Sequence, residues 1–264
     1  MEKNSSLDPQ AICPSPESAP GEESGATQAL TDTLAVPRSR RGLLRGAIAG
    51  TAAAALASST ALSALAARAE GTTSSDLTEF FNILATGEAL FVTFYNQAVI
   101  HHEQLGFHGA ALNALEAIRA EEEIHREFAL AHGGTPATTH FSFPHGAQTF
   151  QNRRLFLQTQ QLAEELTNGA LLAWINDMAS MGQVRFAQIG GQLMQVEGGH
   201  RVVGRVLLGA EPWDNWAFGP VTVRHFADVP AAVTKAGFLS PRPGNDFEFH
   251  PVSPAFPGVI NTHP

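Results

Sequence analysis

The sequence predicts an all-α fold, four long helices followed by an extension rich in Pro and aromatic residues. Between Asp76 and Leu208 the apolar residues recur at intervals of three and four instead of alternating, which is the spacing of one helix face. Gly106, Gly133-Gly134 and Gly209 punctuate that region where helices should stop, because glycine leaves the right-handed conformation most readily. The composition, 264 residues with 44% hydrophobic and 16% charged, is that of one globular domain with appendages. With 25 acidic residues against 16 basic ones the net charge is −9. No basic cluster lies outside one short N-terminal stretch, so no face neutralises phosphates and nucleic acid is not an expected partner.

Residues 1–37 are rich in Ser, Pro, Gly, Glu and Ala and have no period. Such a segment cannot bury enough apolar surface to order itself. Residues 38–69 read as an export signal. Ser39-Arg40-Arg41-Gly42-Leu43-Leu44-Arg45 is followed by a charge-free tract from Gly46 to Ala67 and by Ala67-Arg68-Ala69, whose small residues suit cleavage. The paired arginines directly before the tract resemble a twin-arginine signal. That resemblance implies passage through the twin-arginine translocase, cleavage after Ala69 and a periplasmic or secreted location. It also implies export in the folded state, often with a cofactor already loaded. An uncleaved membrane anchor is the competing reading, disfavoured because the tract is mostly Ala with several Ser and Thr. No other stretch reads as apolar enough to span a bilayer. Cleavage leaves 10 basic and 19 acidic groups, still −9, and removes Cys13, the only cysteine. Any metal site in the mature chain must then use His and carboxylate ligands.

Residues 70–210 carry the four helices. The first starts at Asp76, a suitable N-cap, and runs to the Gly106 region with Leu77, Phe81, Leu84, Glu88, Phe91, Tyr95 and Ala98 on one face. The second spans Gly109 to His132, with Leu115, Ile118, Glu122, His125 and Ala129 on its stripe. The third spans Gln148 to Ser180 with Leu157, Gln160, Glu164, Thr167, Leu171, Trp174 and Met178, and the fourth runs from Val184 to Leu208 with Leu193, Glu197, His200, Gly204 and Leu207. The long link between helices two and three suits two helical hairpins joined by a crossover. Residues 211–264 form the extension, with a short helix from Asp228 to Gly237, packed as a wrap whose aromatic residues join the core.

Each of the four apolar faces is interrupted by a glutamate, and two of them by a histidine one turn later. A carboxylate on a core face costs several kcal/mol unless it is paired or binds a metal. Four facing one another would be driven to take up protons. Two divalent cations remove the conflict, because Glu88, Glu122, Glu164 and Glu197 supply the negative charge while His125 and His200 supply nitrogen ligands. The spacings Glu122-Glu123-Ile124-His125 and Glu197-Gly198-Gly199-His200 put each carboxylate and imidazole on one helical face. One such pair is ordinary. Two pairs, preceded by face glutamates 34 residues (Glu88 to Glu122) and 33 residues (Glu164 to Glu197) earlier, form a pattern. Among the other acidic residues, Glu121, Glu123 and Glu127 read as a solvated face. His101-His102-Glu103 reads as a solvated helix end before it reads as a surface metal site. Gly198 and Gly199 read as close helix approach or as access for a small molecule.

A glutamate from each of two helices and Glu-x-x-His from each of the other two is the ligand set of carboxylate-bridged di-metal bundles. The sequence here resembles the ferritin-like superfamily, and within it the exported ferritin-like proteins that include plant desiccation-related proteins. The resemblance covers about Asp76 to Leu239. Its sharpest piece is Gly87-Glu88-Ala89-Leu90-Phe91-Val92-Thr93-Phe94-Tyr95, similar to the family's first-helix motif of Glu with Tyr seven residues on. The third helix departs from the pattern: Thr167 stands where a carboxylate is expected, with Trp174 as the later aromatic. Glu164 lies one turn earlier on the same face, and Glu165 points about 100° away.

The resemblance implies an exported protein with a di-iron or di-manganese centre and a redox role with dioxygen, peroxide or Fe(II) in stress protection. In it Glu122 and Glu197 bridge two iron or manganese ions, Glu88 and Glu164 are terminal, and His125 and His200 each bind one metal. Oxygen-rich ligation with imidazole suits iron or manganese better than copper. The implied partners are metal ions and a small oxidant, with homo-oligomer formation left open. The alternative, favoured by Thr167, is a non-enzymatic stress or envelope protein that keeps the bundle with a degenerate site.

Overall fold

In a computed structural model that describes residues 74–214, 216–254 and 264, four long helices lie where the three-and-four spacing places them. The 1–37 segment and the 38–69 export signal lie outside the described residues. The helices are α1 (Ser74–Ile100), α2 (His102–Leu105), α3 (Ala110–Ala131), α4 (Arg153–Ser180), α5 (Val184–Leu207) and α6 (Val229–Lys235). The fold is all-α. The strands among the described residues are β1 (His140–Phe141) and β2 (Phe247–Glu248), an antiparallel pair with His140 opposite Glu248.

Two helix starts differ from expectation. Helix α1 begins at Ser74, so Asp76 lies inside the helix and not at its cap. Helix α4 begins at Arg153 instead of Gln148, because a 3-10 turn occupies Gly146–Phe150. The Asn152 side chain then accepts hydrogen bonds from the Arg154 and Leu155 N–H groups, a cap worth about 1 kcal/mol. Gly106 closes α2 and Gly133 ends α3, at φ of 67° and 87° respectively, which a side chain would strain.

Helix α1 packs on α3, α4 on α5, and α3 meets α5. Their shared interior holds two apolar clusters. One gathers Phe94, Phe107, Phe143, Phe150 and Phe156, with Phe94 and Phe156 stacked at 4.7 Å. The other gathers Phe81, Leu84, Trp174, Met178 and Phe226. The Trp174 indole N–H donates to the Phe186 carbonyl at 2.8 Å, so its large apolar surface is buried without an orphaned donor. Between these clusters, on every long helix, sits one level of polar residues: Glu88, Glu122 with His125, Glu164, and Glu197 with His200.

The glycines that allow close approach are not the expected ones. A Cβ at Gly198 would meet only Asn168 Oδ1, at 3.9 Å, and one at Gly199 would meet nothing. Gly190 lies against the Trp174 indole and Gly204 against the Gln160 amide, and at both a Cβ would collide. The extension also departs in part from the expected wrap. Phe226 and Phe238 are buried, but Trp213, Trp216 and Phe218 are 60%, 48% and 90% exposed. Helix α1, finally, has the length and composition to cross a membrane over Leu77–Ile100, a second such stretch beside the Gly46–Ala67 tract. Its apolar face is occupied by its partners, with 67% of the apolar window buried.

Candidate metal centre

The six residues singled out from the sequence meet in one buried cluster, each 7% exposed or less. Helix geometry brings them there. Glu122 and His125 are three residues apart on α3, as are Glu197 and His200 on α5, so each pair points from one face. Helices α1 and α4 add Glu88 and Glu164 at the same level.

The cluster resolves into two overlapping groups whose donor atoms lie within 4.8 Å of one another: Glu88, Glu122, His125 and Glu197, and Glu122, Glu164, Glu197 and His200. Either group can hold a metal ion. Their overlap has a definite geometry. His125 Nδ1 lies 3.0 Å from Glu197 Oε1 and 3.6 Å from Glu122 Oε2. His200 Nδ1 lies 3.0 Å from Glu197 Oε2 and 3.1 Å from Glu122 Oε1. Each shared carboxylate therefore turns one oxygen to each half. Glu88 Oε2 completes the first half, 3.8 Å from His125 Nδ1.

Hydrogen bonds account for only part of this convergence, such as His200 Nδ1 with Glu197 Oε2 and the Tyr95 hydroxyl with Glu164 Oε1. Ten buried side-chain atoms among the described residues have no hydrogen-bond partner, and six belong to the cluster: Glu88 Oε2, both Glu122 oxygens, His125 Nδ1, Glu164 Oε2 and Glu197 Oε1. Native interiors rarely tolerate such a concentration unless an ion satisfies it. The donor set of carboxylate oxygens and imidazole nitrogens, with no sulfur, fits first-row divalent cations.

Electrostatics point the same way. Burial pushes the Glu88 carboxyl well above its ordinary range, and the charges of Glu122 and Glu197 add to the push. Burial and the Glu197 charge do the same to Glu164. For the histidines burial acts downward, but the surrounding carboxylates outweigh it and hold both His125 and His200 well above 6.5. Burial opposes ionisation of Glu197 too, yet the two imidazoles lower it. Without a cation the site therefore favours the protonated forms of Glu88, Glu164, His125 and His200.

Outside the donor atoms, the two halves differ. The Tyr95 hydroxyl donates to Glu164 Oε1, and Gln160 Nε2 donates to the Tyr95 oxygen at 3.1 Å and to the His200 carbonyl at 2.8 Å. His200 Nε2 lies 2.8 Å from Glu121 Oε2. That contact leaves Nδ1 for the cluster, the arrangement that fixes the tautomer of a metal-binding histidine. Burial and the Glu164 charge raise the Tyr95 phenol well above 10.

Several readings of the sequence need correction. Glu121 and Glu123 are not simply a solvated face: Glu121 backs His200, and Glu123 is 2% exposed and paired with Arg126. Phase along α3 alone could not show the Glu121 contact, which depends on where α5 brings His200, whereas Glu123 and Arg126, three residues apart on α3, could have been paired from spacing. Gln160 carried a signal, a polar residue on an apolar face one turn before Glu164. Glu165 pairs with Arg201 at 3.7 Å, away from the cluster, and Thr167 stays outside both groups. The exposed group near α2 is His102, Glu103 and His108. His101 turns instead to Gln104, at 2.6 Å.

Comparison of the chain with protein-family models, with curated proteins and with solved structures finds no match.

Proposed function

We propose that the chain is an exported ferritin-like protein that holds a carboxylate-bridged pair of iron or manganese ions and works in redox protection against stress. One observation carries the reading: Glu122 and Glu197 belong to both four-residue groups and turn one oxygen to each half. In this assignment Glu88 and His125 serve one ion, Glu164 and His200 the other, and Glu122 and Glu197 bridge. Four carboxylates balance two divalent charges in a buried site, which removes the cost of burying them. When bound, a pair of iron or manganese ions would supply a two-electron change to dioxygen or peroxide, one electron from each ion, and the electrons would be restored one at a time by a donor such as Fe(II).

The chain's own residues set the conditions. Tyr95 and Gln160 orient Glu164, and Glu121 holds His200 with Nδ1 inward. The apolar clusters on both sides keep bulk water from the level between them. Export rests on the N-terminal resemblance to a twin-arginine signal. The reading as a structural stress protein with a degenerate site rested on Thr167. In the structure Glu164, one turn earlier, lies in one of the two groups, which supports the metal-binding reading over it.

The test is elemental mass spectrometry on protein exported through its own signal. Two iron or manganese ions per chain are expected, and Glu197→Ala should lose both together with any ferric absorbance formed from Fe(II) and oxygen. Metal-free wild-type protein, or a variant with undiminished metal, refutes the assignment.

A further inference from the structure

A cavity lies against Glu88 on the side away from His125's helix, between α1, α4 and the extension. Of the residues that line it, only Glu88 and Thr167 carry polar side-chain atoms. The rest are apolar, and Phe226, Val229, Val233 and Phe238 of the extension form its roof. The inner cavity is small, about 60 Å³. It shares Ile83, Gly87, Leu90, Val229 and Val233 with a wider outer cavity of about 310 Å³, within the range of small-molecule sites. The two cavities adjoin along these residues and form an apolar passage, with Glu88 and Thr167 among the residues lining its inner end. Glu79, Asn82, Thr86 and Thr138 also line the outer cavity, chiefly through their apolar atoms: the Asn82 side-chain oxygen accepts from the Thr135 N–H and the Thr86 hydroxyl donates to the Asn82 carbonyl.

Two features of the sequence keep it open. A Cβ at Gly87 would meet nothing within 4 Å, so the glycine leaves free space beside Glu88. On α4 the carboxylate stands at Glu164, and the position one turn later is Thr167, which lines the cavity without adding charge. Glu88 Oε2, 3.8 Å from the nearest imidazole nitrogen, has no hydrogen-bond partner. Among the described residues no cationic side chain lines either cavity, so an anionic ligand finds no counter-charge from them. The narrow inner end fits the end of a chain better than a ring.

We infer that this passage binds a neutral, unbranched aliphatic molecule with one polar end, presented to the Glu88 side of the centre. The inference rests on the metal reading only for what that end meets; the binding itself does not need the ions. It narrows the substrate class from a polar oxidant alone to an apolar organic molecule beside the oxidant.

The experiment is calorimetric titration of the full chain with n-decanol, on metal-loaded wild type and on Glu197→Ala. Saturable binding, one molecule per chain, is expected in both. Gly87→Leu places a side chain in the passage and should lower affinity roughly tenfold or more, the loss of about two buried methylenes, with metal content unchanged. Leucine is also the better helix residue, so the variant should fold. Thr167→Phe, entering from α4, gives an independent block. Absence of saturable binding in wild type, or undiminished binding in both blocking variants, overturns the inference. Decanol binding by a wild type that takes up no metal would sink the metal reading and leave this one standing.

Discussion

Metal loading should be strongly pH-dependent, and its slope can be counted from the site. The surrounding carboxylates hold His125 and His200 well above 6.5, so the metal-free protein favours both imidazolium forms. Glu88 and Glu164 are pushed well above 4.5 and compete for two further protons. Ligation requires all of these groups deprotonated. Filling the site therefore releases about two to four protons, and affinity for the pair should rise roughly a hundredfold to ten-thousandfold per pH unit near neutrality. Stability without metal runs the opposite way. Groups whose folded values are raised stabilise the protein below their unfolded values, and that contribution is lost as pH rises through the folded ones. Glu197, lowered, acts in the other sense but is one group against four. Between about pH 5 and 8 the metal-free protein should lose thermal stability as pH rises while the metal-loaded protein gains it. Titration calorimetry of Mn(II) binding in buffers of different ionisation enthalpy counts the protons directly. A binding enthalpy independent of buffer, with equal affinity at pH 6 and 7, refutes the reasoning.

Gly204→Ala and Gly199→Ala should differ in sign. Both gain helix propensity worth about 0.8 to 1 kcal/mol, but the first drives a methyl into Gln160 and its bonds to Tyr95 and His200. We expect Gly199→Ala to be more stable by about 0.5 to 1 kcal/mol and Gly204→Ala less stable by about 1 to 3 kcal/mol in urea denaturation. A stabilised Gly204→Ala would mean that Gln160 moves aside freely. Glu121→Ala should weaken metal binding by about 10- to 100-fold, as loss of a histidine's outer partner does, and should lower the melting temperature of the metal-free protein as well, since the buried His200 Nε2 loses its acceptor; equal metal affinity would remove Glu121 from the site. Asp246 raises the exposed His140 above 6.5 through its hydrogen bond and charge. Its contribution to stability is full below 6.5 and fades as pH rises through the folded value, so wild type and His140→Gln should differ in denaturation midpoint at pH 5.5 and converge at pH 8.5.

The helical spacing made the six cluster residues legible because burial on a helix depends on phase, and Glu88, Glu122, Glu164 and Glu197 each fall in phase with apolar neighbours. The choice of Glu164 over Glu165 followed from the same geometry. What could not be read depends on contacts between distant elements. Glu121 lies out of phase on α3 and matters only because α5 brings His200 to it. Gly190 and Gly204 look like the other glycines of α5, and only the facing Trp174 and Gln160 distinguish them from Gly198 and Gly199. The start of α4 was misplaced because Gly146–Phe150 has helical spacing but closes as a 3-10 turn ahead of the Asn152 cap. The two-residue β-pair gave no pattern of its own to find.

The fastening of the extension has a consequence for the order in which the protein is completed. Ser142 Oγ donates to the Gly237 carbonyl, Asn245 bonds both the N–H and the carbonyl of Phe143, and β2 pairs with β1. These contacts join positions about a hundred residues apart in the chain. On the ribosome, the last long helix ends at Leu207 before Phe226, Val229, Val233 and Phe238 have been made. For that interval the Glu88 side of the cluster has no roof. A chain that acquires its ions during synthesis takes them through a doorway that Phe226, Val229, Val233 and Phe238 then shut.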